Sequence, residues 1–196
     1  MSEALSLVAV SGSLHAPSKT TVLVREVLDR FAEAFTAAGL PVETTLLELS
    51  DVGREFSGAL TRAELSPAAE DAIRRIESAT LLIVGSPVYR ASFTGLFKHV
   101  FDFVGQYALI DKPVLLAATG GSDRHALIIE HQFRPLFSFF QAITLPIGVY
   151  ASEADFIDSR IASAALHERI DHAVLRGVPV VRGTLPQRVS EYVTTW

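Results

Sequence analysis

Apolar residues along this chain fall into two alternating patterns. Short runs rich in valine, isoleucine and leucine predict strands at 5–10 (LSLVAV), 41–49 (PVETTLLEL), 80–85 (TLLIVG), 113–119 (PVLLAAT) and 145–150 (LPIGVY). The stretches between them repeat at the helical period. Helices are expected at 20–39, where Val22, Val24, Val27, Leu28, Phe31 and Phe35 lie near one face and Gly39 is the stop signal. Further helices are expected at 66–79, 93–105, 123–142 and 161–177. The second opens with Ser66 as N-cap and Pro67 at the first helical position. Residues 51–65 read as a loop. Residues 1–178 read as one domain, and 179–196 as a loosely structured tail.

Regular β–α alternation predicts a parallel sheet with helices on both faces. Five strands at this length suit a flavodoxin-like three-layer α/β sandwich, a five-stranded parallel sheet in the order 2-1-3-4-5. Ligands of such sheets bind beyond the carboxyl ends of the strands, where the strand order reverses. The loops after strands 1, 3 and 4 therefore carry the candidate chemistry: SGSLHAPSKT (11–20), SPVYRAS (86–92) and TGGSDRH (119–125).

The first loop matches neither the P-loop nor the dinucleotide fingerprint. It offers hydroxyls at Ser11, Ser13, Ser18 and Thr20, the Lys19 charge, and free N–H groups at a helix start, where an anion is favoured. A phosphate monoester fits that chemistry, and so does an ordinary loop whose Ser18 or Thr20 only caps the helix. Pro87 and Tyr89 of the second loop could border a flat ligand or simply end a strand. Gly120 and Gly121 of the third allow close approach of backbone to a ring, or mark a flexible turn.

Composition narrows the field. The chain has 196 residues and a net charge of −5, with no basic stripe, which speaks against nucleic-acid binding. It has no cysteine, so disulfides, thiolate metal sites and cysteine nucleophiles are excluded. The six histidines show no compact metal spacing, and no metal is expected. The first residues lack a signal-peptide pattern and no run is long enough to cross a membrane, so a cytoplasmic protein is expected. His99, in an apolar helix, reads as a packed, hydrogen-bonded side chain.

Taken together, SGSLHAPSKT, GSPVYRASFTGLFKHVFDFV and AATGGSDRHA resemble the NAD(P)H-dependent FMN reductases, and most of all those serving two-component methanesulfonate and alkanesulfonate monooxygenases. The resemblance covers about 5–175. It implies FMN as cofactor, with NADH or NADPH as hydride donor, and a monooxygenase partner that receives reduced flavin. Ser11, Ser13, Ser18, Lys19 and Thr20 would then hold the phosphate. Pro87, Val88, Tyr89 and Arg90 would line the ring and ribityl chain, with Thr119, Gly120, Gly121 and Ser122 at the ring's polar edge. No side chain is required as catalytic nucleophile or base, because the flavin carries the chemistry. The resemblance also implies a homodimer or homotetramer. Pro135 inside a helical pattern removes an N–H from the helix ladder, so a kink or a π-bulge is expected near His131. In the resembling branch this helix lies at a subunit interface, which makes His131 a candidate for interface contact and flavin release. Two alternatives remain: an FMN-containing quinone or azo reductase, and a flavodoxin-like electron carrier. The only tryptophan, Trp196, stands at the far end and the charge is modest, and both weigh against the carrier.

Overall fold

The structure, a computed structural model, describes residues 4–185. Strands β1 (Leu5–Ser11), β2 (Val42–Glu48), β3 (Leu81–Pro87) and β4 (Pro113–Gly120) pair in parallel in the order β2-β1-β3-β4. The fifth position is shared by two short strands, β5 (Ile143–Thr144) and β6 (Val149–Ser152). Both pair with β4 in parallel. One continuous strand at 145–150 was expected there. Pro146 has no N–H for a ladder and Gly148 passes against Ile129, so the chain leaves the sheet between them.

Alternation along the strands builds two cores. Val8, Val10, Leu82, Val84 and Leu116 face helices α3 (Pro67–Ser78) and α4 (Gly95–Asp102), with Phe97, Phe101, Phe133 and Phe137 filling that side. Leu7, Ala9, Leu81, Ile83 and Leu115 face α1 (Lys19–Ala37) and α6 (Ala164–Thr184). β3 is buried on both faces, as its uncharged run requires. In α1 the buried face includes Leu23, while Val22 is only partly covered. Gly39 ends that helix with φ 75°. Ser66 and Pro67 open α3 as expected, and Ser66 Oγ accepts from Ala69 N at 3.2 Å. His99 Nε2 lies 3.1 Å from Phe56 O, with its ring edge-on to Phe103.

Several expected elements differ. Residues 51–65 hold the end of a short helix, α2 (Leu49–Val52), and 3₁₀ turns at Gly53–Phe56 and Arg62–Glu64. The long helix expected at 123–142 is a 3₁₀ turn at Asp123–His125, a π-helical turn at Ile129–Phe133, and α5 (Arg134–Phe139). Arg134 N donates to Ile129 O, the wider i→i−5 closure, directly before Pro135. The bulge thus occurs where the missing proline N–H demanded relief. Helix α6 starts at Ala164, because Arg160–Ile161 (β8) pairs with Phe156–Ile157 (β7) in a hairpin and Ser163 Oγ caps the helix through Leu166 N. It also runs beyond the domain end expected at 178, so the tail expected from 179 is helical through Thr184. Gly177 is not a stop signal: a Cβ there would meet Phe31 at 2.7 Å and Leu145 at 2.8 Å, so its hydrogen allows α6 to lie against α1. The rest of the expected tail, 186–196 with Trp196, lies outside the described residues. Among the described residues, no helix is long and apolar enough to cross a membrane.

Candidate active site

The loops following β1, β3, β4 and β6 meet at the carboxyl edge of the sheet and enclose an open cleft of about 440 Å³. Buried hydrogen bonds hold the first three together. Gly12 N donates to Gly85 O at 2.6 Å, and Thr94 Oγ1 donates to Gly12 O at 2.9 Å. Thr94 N in turn donates to Ser86 Oγ at 3.0 Å, which ties loop 2 into the same clamp. Val88 N donates to Thr119 O at 2.8 Å, and the Thr20 and Thr119 hydroxyls bond at 2.6 Å. The cleft walls are therefore set by the scaffold before any ligand arrives.

At one end lies the start of α1. Ser18 is its N-cap and its Oγ accepts from Thr21 N at 3.1 Å, leaving the hydroxyl hydrogen free to donate. The amides of Lys19 and Thr20 precede the first helical hydrogen bond and have no partner among the described residues. Ser13 borders the same pocket, its Oγ donating to His15 O at 3.1 Å. The exposed His15, absent from the expected site, also lines it. Uncapped amides, two hydroxyls and an ammonium are the donor set that a phosphate dianion needs. Further along, a Cβ added to Gly121 would meet no atom within 4 Å, so a flat ring can approach that backbone closely. The residues present thus fit FMN.

The structure brings Ser13, Ser18, Lys19, Thr20, Pro87 and Val88 to the cleft wall, together with Tyr89, Thr119, Gly120 and Gly121. It does not bring Ser11, Arg90 or Ser122 there. Ser11 is buried beneath α1, its Oγ 2.8 Å from Thr21 Oγ1, and so supports the loop. Arg90 (φ 50°) and Ala91 (φ 67°) form the tip of a two-residue turn closed by the Tyr89 and Ser92 backbones, and the Arg90 side chain is exposed. Ser122 contributes its carbonyl to Tyr150 Oη at 2.5 Å. Burial, then Asp123 and Asp155, raises the Tyr150 phenol above its ordinary value, so it remains a donor. The exposed His131 stands in the π-helical turn, outside the cleft; its neighbour Gln132 accepts from Ser92 Oγ at 3.2 Å, which connects that turn to loop 2.

The fourth wall was not foreseen. Ser152, Glu153, Phe156 and Ser159, from the end of β6 and the β7–β8 hairpin, line the cleft. The signal was available: the loop after the fifth strand reaches the same sheet edge as the other three. It has no glycine and carries three carboxylates, Glu153, Asp155 and Asp158, which hid it from a reading that sought glycines and hydroxyls.

Comparison with known proteins agrees with this geometry. A family model described as NADPH-dependent FMN reductase matches residues 5–156. The chain is 53% identical to an NADH-dependent FMN reductase, SfnE, of Pseudomonas putida, over 92% of this chain and 94% of that protein. It is 49% identical to an FMN reductase (NADPH) of Pseudomonas aeruginosa, over 93% and 96% of the two chains. Among solved structures, an oxidoreductase from Corynebacterium diphtheriae superposes with a TM-score of 0.85 at 30% identity, covering 94% of this chain and all of that one. The match over residues 5–156 and these similarities establish that the chain belongs to the NADPH-dependent FMN reductase family, and with its flavodoxin-like sheet order it is an NAD(P)H:FMN oxidoreductase.

Proposed function

We propose that this chain is the reductase half of a two-component system, passing reduced FMN to a flavin-dependent monooxygenase that acts on organosulfonates. The observation carrying the reading is the cleft where α1 begins, with donors for a phosphate at one end and open glycine backbone at the other. FMN bound there supplies the redox chemistry, accepting hydride from a reduced nicotinamide. Ser13, Ser18 and the Lys19 and Thr20 amides hold the phosphate. Pro87, Val88 and Tyr89 border the ring and ribityl chain, and the 119–121 backbone meets the ring's polar edge. An open cleft suits a flavin that must leave after reduction. The sulfonate assignment rests on the likeness of the three loops to that branch, and the similarity to SfnE supports a reductase of this kind.

Purified protein supplied with FMN should oxidise NADH or NADPH, and initial rates with each identify the donor. No oxidation of either with FMN present would overturn the reading. Oxidation only with a quinone or azo compound would make the chain a reductase of those acceptors. Product formation by a sulfonate monooxygenase, fed only through this protein, tests the partner.

The protein acts as a homodimer or homotetramer through the π-helical turn, in which His131 contacts a neighbouring subunit and tunes flavin release. Leu127 and Phe139 flank this segment at 65% and 61% exposure, more apolar surface than a short surface stretch ordinarily leaves in water. His131→Ala should shift both sedimentation and FMN retention. Unchanged values for both would remove His131 from that role.

A further inference from the structure

The mouth of the cleft carries an ion pair that the reading above leaves unused. Lys19 Nζ lies 2.7 Å from Glu153 Oε1, joining the first residue of α1 to the turn after β6. The lysine side chain is 35% exposed and the glutamate 72%. Lys19 Nζ also lies 5.9 Å from the centroid of the Phe156 ring, beside the same wall.

The two acids of that turn have different work. The Asp155 carboxylate accepts from Ser152 N at 2.7 Å and Ser152 Oγ at 3.1 Å, so it builds the turn. Glu153 takes no part in that cap, and its side chain has one hydrogen-bond partner among the described residues, Lys19. That hydrogen bond holds the Glu153 carboxyl below the usual carboxylate range, so its negative charge persists near neutral pH. The cap of that turn is complete without this charge, which stands where the ammonium of the phosphate cup is found.

We propose that Glu153 competes with the FMN phosphate for Lys19, and so is an electrostatic determinant of how readily flavin exchanges. The inference rests on reading the first loop as the phosphate cup. A phosphate monoester carries nearly two negative charges at neutral pH. On reaching Lys19 it must either part the ion pair, sending Glu153 into water, or remain beside a like charge. Both outcomes lower the affinity for the phosphate end, and neither involves the flavin ring. Because the carboxylate is exposed and turns away easily, the effect is a few-fold rather than orders of magnitude. A modest loss of hold suits an enzyme that gives its reduced flavin to another protein. Glu153 is thus a positioning residue, acting through Lys19.

The test is equilibrium binding of FMN and of riboflavin to the full chain and to Glu153→Gln, Lys19→Met and the double variant, at low and high salt. Glu153→Gln should tighten FMN about two- to five-fold and leave riboflavin unchanged. The gain should shrink in about 0.5 M salt, where exposed charges are screened, and should be smaller in the Lys19→Met background. Glu153→Ala repeats the measurement if the glutamine variant folds poorly. Equal gains for both flavins, no gain for FMN, or a full gain without Lys19 would overturn the proposal. The outcomes separate it from the reading beneath it. If Lys19→Met weakens both flavins equally, the phosphate cup itself is misplaced. If Lys19→Met weakens FMN selectively and Glu153→Gln does nothing, the cup stands and the competition falls.

Discussion

Ser13 and Ser18 show how much one hydroxyl can be asked to do. Ser18 Oγ accepts from Thr21 N, and Ser13 Oγ accepts weakly from His15 N at 3.4 Å while donating to His15 O. Replacing both with alanine should weaken FMN by about ten-fold or more, one lost charge-assisted hydrogen bond each, and leave riboflavin nearly unaffected. Fluorescence titration of the two flavins checks this, and equal losses would mean that the loop shapes the cleft without holding phosphate. The place of Ser13 and Ser18 at the cleft wall was legible because the loop between the first strand and the first helix falls at the carboxyl edge of the sheet. Ser11 was misleading for a reason of direction: strand alternation points it under α1 toward Thr21 and not into the cleft. Gly120 was legible as a glycine but not for its cause, since a Cβ there would collide with Tyr150 Oη. That contact is created by the register of β4 on β6, which no local pattern encodes.

At the scale of elements, the 3₁₀ turn at 62–64 is fastened to α3 by a single guanidinium. Arg62 donates to Glu70 through Nε (3.0 Å) and Nη2 (3.1 Å), and to Glu77 through Nη1 (2.5 Å) and Nη2 (2.9 Å). Glu77 Oε1 also accepts from Gly105 N at 2.8 Å, so the network reaches the chain end of α4. Hydrogen bonds from Arg62, then Arg74, pull Glu70 down to about 2. A carboxylate with a depressed folded value stabilises above its unfolded value, and that contribution fades as the pH falls toward the folded one. Arg62→Met should therefore lower the urea midpoint at pH 7, and the gap from the parent protein should narrow between pH 4.5 and pH 2. A gap independent of pH would assign the role of Arg62 to its packing. Elements with their own punctuation were read correctly: Ser66–Pro67 starts α3 and Gly39 ends α1. Those shaped by distant contacts were not. Gly177, the last residue of the helix expected at 161–177, lies inside α6 and serves a helix crossing. The helix expected after β4 had apolar period enough, but Pro135 divides it.

For the whole molecule, one sheet separates two cores and belongs to both. Phe31 lies against Phe35 on the α1–α6 side, and Phe97 sits among Phe93, Phe101 and Phe133 on the other. Neither side can dissolve without baring β3 and β4. Phe31→Ala and Phe97→Ala should each lower stability by about 3–5 kcal/mol, through a cavity lined by buried side chains. Both should lower the same transition, with near- and far-ultraviolet circular dichroism coinciding. Separate transitions for the two variants would show that the faces unfold independently. The layered architecture was legible because short strand runs alternate along the chain with stretches of helical period. The single connected fold follows from that alternation more directly than any one loop does.

The divided fifth strand has a consequence for how this molecule meets its own copies in a crowded solution. An open parallel sheet ends in a row of unsatisfied backbone groups that another chain can extend. Here the row is only two residues long at β5, breaks at Pro146, and resumes for four at β6. Two guanidinium groups reach backbone carbonyls that the break leaves bare: Arg134 Nη1 donates to Leu145 O at 3.5 Å, and Arg169 Nε donates to Gly148 O at 2.9 Å. At the opposite border, β2 exposes Glu43, while Glu48 is paired with Arg25 Nη2 at 3.2 Å. A strand arriving from a second molecule finds two short, offset segments on the β5–β6 side. The interruption that hid this strand from a simple pattern thus leaves that border without one continuous ladder for a second chain to extend.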